Sequence, residues 1–152
     1  QPCAAADRLA MVRLAVANNS KFKVYDGELL REGPSYTSDT MRTLVKEHDD
    51  VQWVLLLGDD CIPGLPRWKD IEALVGLVEL AIASRRTNPR TLDQLSDGIV
   101  KDAAQAGIIP TPVMDIDATM LRKRLRRRAF CDHLCPHKVL DYIHTNNLYL
   151  EV

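Results

Sequence analysis

Two aspartates, Asp59 and Asp60, stand directly behind an apolar run of Val51, Trp53, Val54, Leu55, Leu56 and Leu57 that Gly58 closes. Carboxylates at the end of such a run lie where an open α/β sheet keeps its ligand crevice. A Pro/Gly segment follows, Pro63-Gly64-Leu65-Pro66, and then Arg67 and Trp68. Carboxylates with a tryptophan within reach read as a binding site. The plainer alternative is a turn cap and a core tryptophan.

Upstream, Gly33-Pro34-Ser35-Tyr36-Thr37-Ser38-Asp39-Thr40 combines a forced turn with hydroxyls at the start of a helix. Free backbone N–H groups and hydroxyls there suit a small polar or anionic ligand, although an ordinary cap by Ser35 or Thr37 uses the same residues. Cys131, His133, Cys135 and His137 are all metal-ligand types, but four ligands within one short loop strain a tetrahedral zinc site. A chance cluster before the last helix is the simpler reading. Arg122-Lys123-Arg124-Leu125-Arg126-Arg127-Arg128 is the one strongly basic stretch. With no aromatic ladder beside it, a solvated helix face is expected before RNA or an acidic partner.

The elements that position these residues follow from periodicity and punctuation. Residues Ala4 to Ala17 read as a helix with Leu9, Val12 and Val16 on its buried stripe. Phe22, Val24 and Asp26 suggest a short strand that Gly27 interrupts. A helix capped by Ser35 or Thr37 runs to about Glu47 with Met41, Leu44 and Val45 inward. The run ending at Leu57 reads as a strand buried on both faces of a parallel sheet. Arg67 to Leu74 is a helix ended by Gly76, and Val78 to Ala83 is a strand delivering Ser84, Arg85 and Arg86. Thr91 to Ala106 is a helix that Gly107 stops, and Ile108 and Ile109 start an edge strand limited by Pro110 and Pro112. Helices from Asp117 to Arg128 and from Pro136 to Thr145 complete the chain. Strands alternating with helices predict a parallel α/β sheet.

Composition narrows the function classes. A chain of 152 residues is one domain in size, so residues 1–152 are expected to form a single domain. With 20 Lys+Arg against 21 Asp+Glu, bulk charge favours neither nucleic acid nor a membrane surface. No window has the length and apolarity of a membrane span. Four cysteines without a regular framework fit a reducing compartment.

Three stretches in this order resemble the nicotinate-nucleotide adenylyltransferases of bacterial NAD synthesis. They are Gly33-Pro34-Ser35-Tyr36-Thr37-x-Asp39-Thr40, then Leu56-Leu57-Gly58-x-Asp60 with Leu65-Pro66-x-Trp68, and the ending Val139-Leu140-Asp141-Tyr142-Ile143 with Asn146-Asn147-Leu148-Tyr149. Asp7-Arg8-Leu9-Ala10-Met11-Val12 also matches, so the likeness covers nearly the whole chain. It implies a Rossmann-like nucleotidyltransferase fold, a parallel sheet flanked by helices, with the N-terminal strands missing from this chain. It implies adenylyl transfer from ATP, with Mg2+ as the nucleotide's companion and no protein-held metal, to nicotinate mononucleotide, giving deamido-NAD and pyrophosphate. Implied partners are those two substrates and a protein or upstream segment that completes the sheet. The implied setting is the cytoplasm, with the mitochondrial matrix as the alternative.

Carried over by position, the resemblance gives Thr37 and neighbouring backbone at Tyr36 the nicotinate carboxylate, and Trp68 the pyridine ring. Asp60 falls to the ribose region and Arg85 to a phosphate, with Thr119 and Arg122 on the phosphates of ATP. Two departures stand out. The family's G-x-F-D-P-x-H-x-G-H is absent from these 152 residues, whose histidines are His48, His133, His137 and His144. No catalytic residue is therefore expected within the chain, and by itself it is expected to be inactive, as a non-catalytic structural subunit would also be. The family's I-S-S-T-x-x-R reads Ile116-Asp117-Ala118-Thr119-Met120-Leu121-Arg122, which sets a carboxylate beside the phosphate position.

Overall fold

The computed structural model describes residues 3–84, 90–112 and 116–149. Its contacts separate two compact units, residues 31–113 and residues 1–30 with 114–152.

The unit of residues 31–113 holds the sheet. Strands β1 (Val54–Gly58), β2 (Glu79–Ser84) and β3 (Ile108–Pro110) are parallel in the order β1-β2-β3. Leu56 lies beside Ala81, and Ile82 beside Ile108. Only the central strand is covered on both faces: Leu80, Ala81, Ile82 and Ser84 are all buried, which matches its near-continuous apolar sequence. The double burial expected for the run ending at Leu57 is not found. That strand is an edge of this sheet, and Val54 and Leu56 are 54% and 70% exposed while Leu55 and Leu57 face the core.

Helix α2 (Thr37–Glu47) packs on α3 (Ile71–Leu77), and α3 and α4 (Ile99–Ala106) both pack on β2. Ile62, Leu65, Leu74, Ile82 and Ala104 form the fully buried centre. Gly107 lets the end of α4 approach the sheet, because a Cβ there would run into the Leu80 carbonyl. The helix expected over Thr91–Ala106 is broken in two. A 3₁₀ turn over Arg90–Gln94 precedes α4, and between them Gly98 adopts φ 142°, a conformation that excludes helix. The helix expected at Arg67–Leu74 is displaced as well. Residues Asp59–Arg67 form a 3₁₀ segment, and α3 starts at Ile71 and runs through Gly76.

The second unit contains α1 (Ala5–Val16), α5 (Ala118–Arg126) and α6 (His137–Thr145). Leu125, Cys131, Val139, Leu140 and Ile143 are its core, and Met11 and Leu14 reach it from α1. The inward stripe of α1 therefore runs through Met11 and Leu14, whereas Val12 is 49% exposed. The Tyr142 hydroxyl donates to Asp7 Oδ1 at 2.9 Å, which sets this rotation. The strand expected at Phe22–Asp26 is not formed: those residues pair with no strand among the described residues, and Phe22 lies 59% exposed.

Candidate functional site

Trp68 is fixed by the turn that ends the 3₁₀ segment. Ile62 and Leu65 anchor the segment in the core, and the Trp68 N–H donates to the Leu65 carbonyl at 3.0 Å. Opposite it lies the start of α2. Tyr36, and not Ser35 or Thr37, holds the N-cap position, in extended backbone, and its side chain makes no capping hydrogen bond. The amides of Asp39 and Thr40 both reach the Tyr36 carbonyl at 3.1 Å. The first turn of a helix presents its remaining N–H groups, with positive partial charge, to whatever sits there.

Between these two elements is a cavity of about 240 Å3 lined by Ser35, Tyr36, Thr37, Ser38, Arg67, Trp68 and Lys69. The structure thus brings Tyr36, Thr37 and Trp68 together from separate segments. Ser38 Oγ is buried there without a hydrogen-bond partner, a cost that folding does not ordinarily leave standing. Lys69 Nζ lies 4.7 Å over the Tyr36 ring and 2.9 Å from Asp39 Oδ2. That hydrogen bond, first among several causes, holds the Asp39 carboxyl below its usual range and raises the Lys69 ammonium. Arg42 adds a contact to Asp39 at 3.3 Å and one to Asp70 at 3.0 Å. The acid in the first turn of α2 is thereby neutralised, so an incoming anion is not repelled. Lys69 and Ser38 were not singled out in the sequence, where the only signal was their adjacency to Trp68 and Thr37.

Asp60 is exposed and is not among the residues lining this cavity. Its neighbour Asp59 is the engaged carboxylate, accepting from Ser84 Oγ at 2.9 Å and tying the end of β1 to the end of β2. Arg85 lies outside the described residues.

In the other unit, Asp117 caps α5 as the sequence suggests: its Oδ1 accepts the Met120 N–H at 2.7 Å. Arg122 is half-buried and donates to Thr119 Oγ1 at 3.4 Å. Both line a concavity of about 390 Å3 with Lys123, Arg126 and Arg127. Arg124 turns away and donates to the Phe130 carbonyl at 2.8 Å. The cysteine–histidine quartet does not converge. Cys131 Sγ donates to the Ala129 carbonyl, His133 stacks on Phe130 with ring centres 5.5 Å apart, and His137 Nδ1 meets Asp141 at 2.9 Å. Burial pushes the Cys135 thiol above its ordinary pKa. Among the described residues no three His, Cys, Asp or Glu side chains gather as metal ligands.

Three parallel strands flanked by helices make an α/β fold of the kind that nucleotidyltransferases share. Comparison with known proteins agrees. Residues 1–124 match the cytidylyltransferase-like family. A probable nicotinate-nucleotide adenylyltransferase of Synechococcus sp. (strain JA-3-3Ab) is 36% identical over 146 residues, 96% of this chain and 70% of the relative. One from Herpetosiphon aurantiacus is 38% identical over 143 residues, 94% of this chain and 72% of that protein. The solved Plasmodium falciparum nicotinic acid mononucleotide adenylyltransferase complexed with NaAD superposes with a TM-score of 0.70 at 20% identity, covering 98% of this chain and 76% of that one. The same enzyme complexed with APC gives 0.68 at 21% identity, covering 95% and 75%. The chain belongs to the cytidylyltransferase-like family, in the group of the nicotinate-nucleotide adenylyltransferases.

Proposed function

We propose that these residues bind nicotinate mononucleotide for adenylyl transfer from MgATP, giving deamido-NAD and pyrophosphate in NAD synthesis. The observation that carries the reading is the shared cavity of Trp68, Thr37 and Tyr36 in a chain of this family. A flat indole face suits a pyridine ring, and the N-terminus of α2 suits the ring's carboxylate. Arg67 adds positive charge on the same wall, while Lys69 cancels the charge of Asp39. Asp60 is proposed for the ribose side, Arg85 for a phosphate, and Thr119 and Arg122 for the phosphates of ATP.

In the reaction a phosphate oxygen of the mononucleotide attacks the α-phosphorus of ATP in line, and the bond to the pyrophosphate leaving group breaks. Such transfers depend on alignment and charge stabilisation more than on covalent help from the protein. Mg2+ enters with the nucleotide as part of the substrate. The residues of this chain bind and orient; the family's H-x-G-H, which stabilises charge at phosphorus, is not among the 152 residues. The proposed setting is cytoplasmic, and residues 1–152 are proposed to act as one nucleotidyltransferase-like domain.

Two measurements test this. Calorimetry should register nicotinate mononucleotide binding to the chain, weakened by Trp68→Ala. The gene product that contains these residues should form deamido-NAD from MgATP and the mononucleotide, whereas the 152 residues alone should not exceed a blank. Absence of binding with a folded chain counts against the substrate assignment.

A further inference from the structure

One face of α5 carries positive charge without counter-charge. Thr119, Arg122, Lys123, Arg126 and Arg127 follow the i, i+3, i+4, i+7, i+8 spacing that shares one side of a helix. They line one concavity, and among the described residues no acidic side chain contributes to its wall. By contrast, Arg13 pairs with Asp26, Arg42 with Asp39 and Asp70, Lys69 with Asp39, and Lys101 with Asp97. Among the described residues, Lys123, Arg126 and Arg127 have neither an ion pair nor a hydrogen bond.

The helix dipole favours cations in a last turn, but it does not require them to converge with Arg122 and Thr119 on one hollow. At the other end of α5, the Asp117 carboxylate already accepts the Met120 amide. An anion seated on this helix therefore meets guanidinium and ammonium groups along its side, not the amides of its first turn.

We propose that this face of α5 binds a linear inorganic polyphosphate longer than a triphosphate, lying along the helix from Thr119 to Arg127. At a rise of 1.5 Å per residue the stripe extends about 12 Å, more than the length of an extended triphosphate. Three guanidinium forks and one ammonium match phosphate oxygens spaced along a chain. Among the described residues no aromatic side chain lines the concavity to stack a base, so a bare phosphate chain fits it better than single-stranded nucleic acid. The inference goes beyond the substrate reading above: a nucleotide's triphosphate would engage only the Thr119–Arg122 end, whereas the free chain needs Lys123, Arg126 and Arg127.

The test is calorimetry at low ionic strength on the 152-residue chain with orthophosphate, tripolyphosphate, ATP and a medium-length polyphosphate. Affinity should climb with phosphate number, and log K should fall with log salt at a slope of about −2 to −3, roughly −0.7 for each phosphate neutralised. The triple substitution Lys123→Gln, Arg126→Gln, Arg127→Gln changes only exposed side chains and should leave the melting temperature unchanged. It should weaken the long chain by at least about tenfold and flatten its salt slope, while ATP binding changes by less than about twofold. Long-chain binding that survives the triple substitution overturns the proposal. So does ATP binding lost in parallel with it, or an RNA oligonucleotide that outcompetes the polyphosphate at this face. The triple variant leaves Trp68 and Thr37 intact, so nicotinate mononucleotide binding reports separately on the substrate reading.

Discussion

The starts of α2 and α5 each carry an aspartate, and the two are used in opposite ways. At α5, Asp117 turns back on the helix and closes it by accepting the Met120 amide. At α2, Asp39 points away to Lys69 and Arg42, and the N-cap residue Tyr36 makes no side-chain capping hydrogen bond. The first arrangement satisfies the helix internally; the second leaves its first turn facing a cavity with Trp68 across from it. One residue type near a helix start thus either occupies the anion position or is neutralised beside it. The difference is decided by what lies within reach: only α2 has a lysine from another segment to take the carboxylate.

The comparison breaks first at Leu65, which is wholly buried and whose carbonyl receives the Trp68 amide. Leu65→Ala should cost about 2–5 kcal/mol in urea unfolding, the range for emptying a core leucine site. A loss under about 1 kcal/mol would mean that the Trp68 turn is not held from the core.

Trp68→Ala comes next. It should remove about 1–3 kcal/mol of nicotinate mononucleotide binding, the usual value of an aromatic stacking on a planar ring. It should leave tripolyphosphate affinity unchanged, because Trp68 does not line the α5 concavity. Equal losses for both ligands would point to general unfolding instead.

Asp117→Ala should cost about 1 kcal/mol of stability by thermal melting, while Asp117→Ser keeps a capping oxygen and most of that amount. If the alanine variant melts with the wild type, the contrast between a closed and an open helix start fails.

The smallest effect belongs to the Asp39–Lys69 pair. Asp39 is held below the usual carboxylate range, so its contribution is present above that range and fades as pH falls through its lowered pKa. Lys69 is raised, so its contribution is full below the ordinary lysine range and is lost as pH rises through the raised value. The melting difference between wild type and Lys69→Gln should therefore be flat around neutrality and shrink at both extremes. A difference that grows in acid would contradict the pairing.

Legibility in the sequence followed the reach of each cause. The cap at Asp117, the edge strand at Ile108 and the last helix rest on neighbours in the chain, and periodicity and capping rules found them. The Phe22 stretch failed because alternation does not provide a strand partner. The break before α4 lay in Ser96-Asp97-Gly98, whose backbone at Gly98 no helix accommodates. Trp68 and Thr37 were readable as a pair only through the family resemblance. That Asp59 rather than Asp60 is tied down follows from Ser84 in the neighbouring strand, a contact that no local pattern encodes. Lys69 was passed over because its partner Asp39 lies thirty positions away.

The most direct measurement is a titration of the isotopically labelled chain with nicotinate mononucleotide, following amide and indole signals by NMR. If the start of α2 and the Trp68 face form the binding site, the amides of Thr37 and Ser38 and the Trp68 indole should move together with one saturation curve. The Trp53 indole, packed against the core with its N–H buried, should stay still. Shifts confined to α5, or a Trp68 indole that does not respond while the ligand binds, would contradict the account.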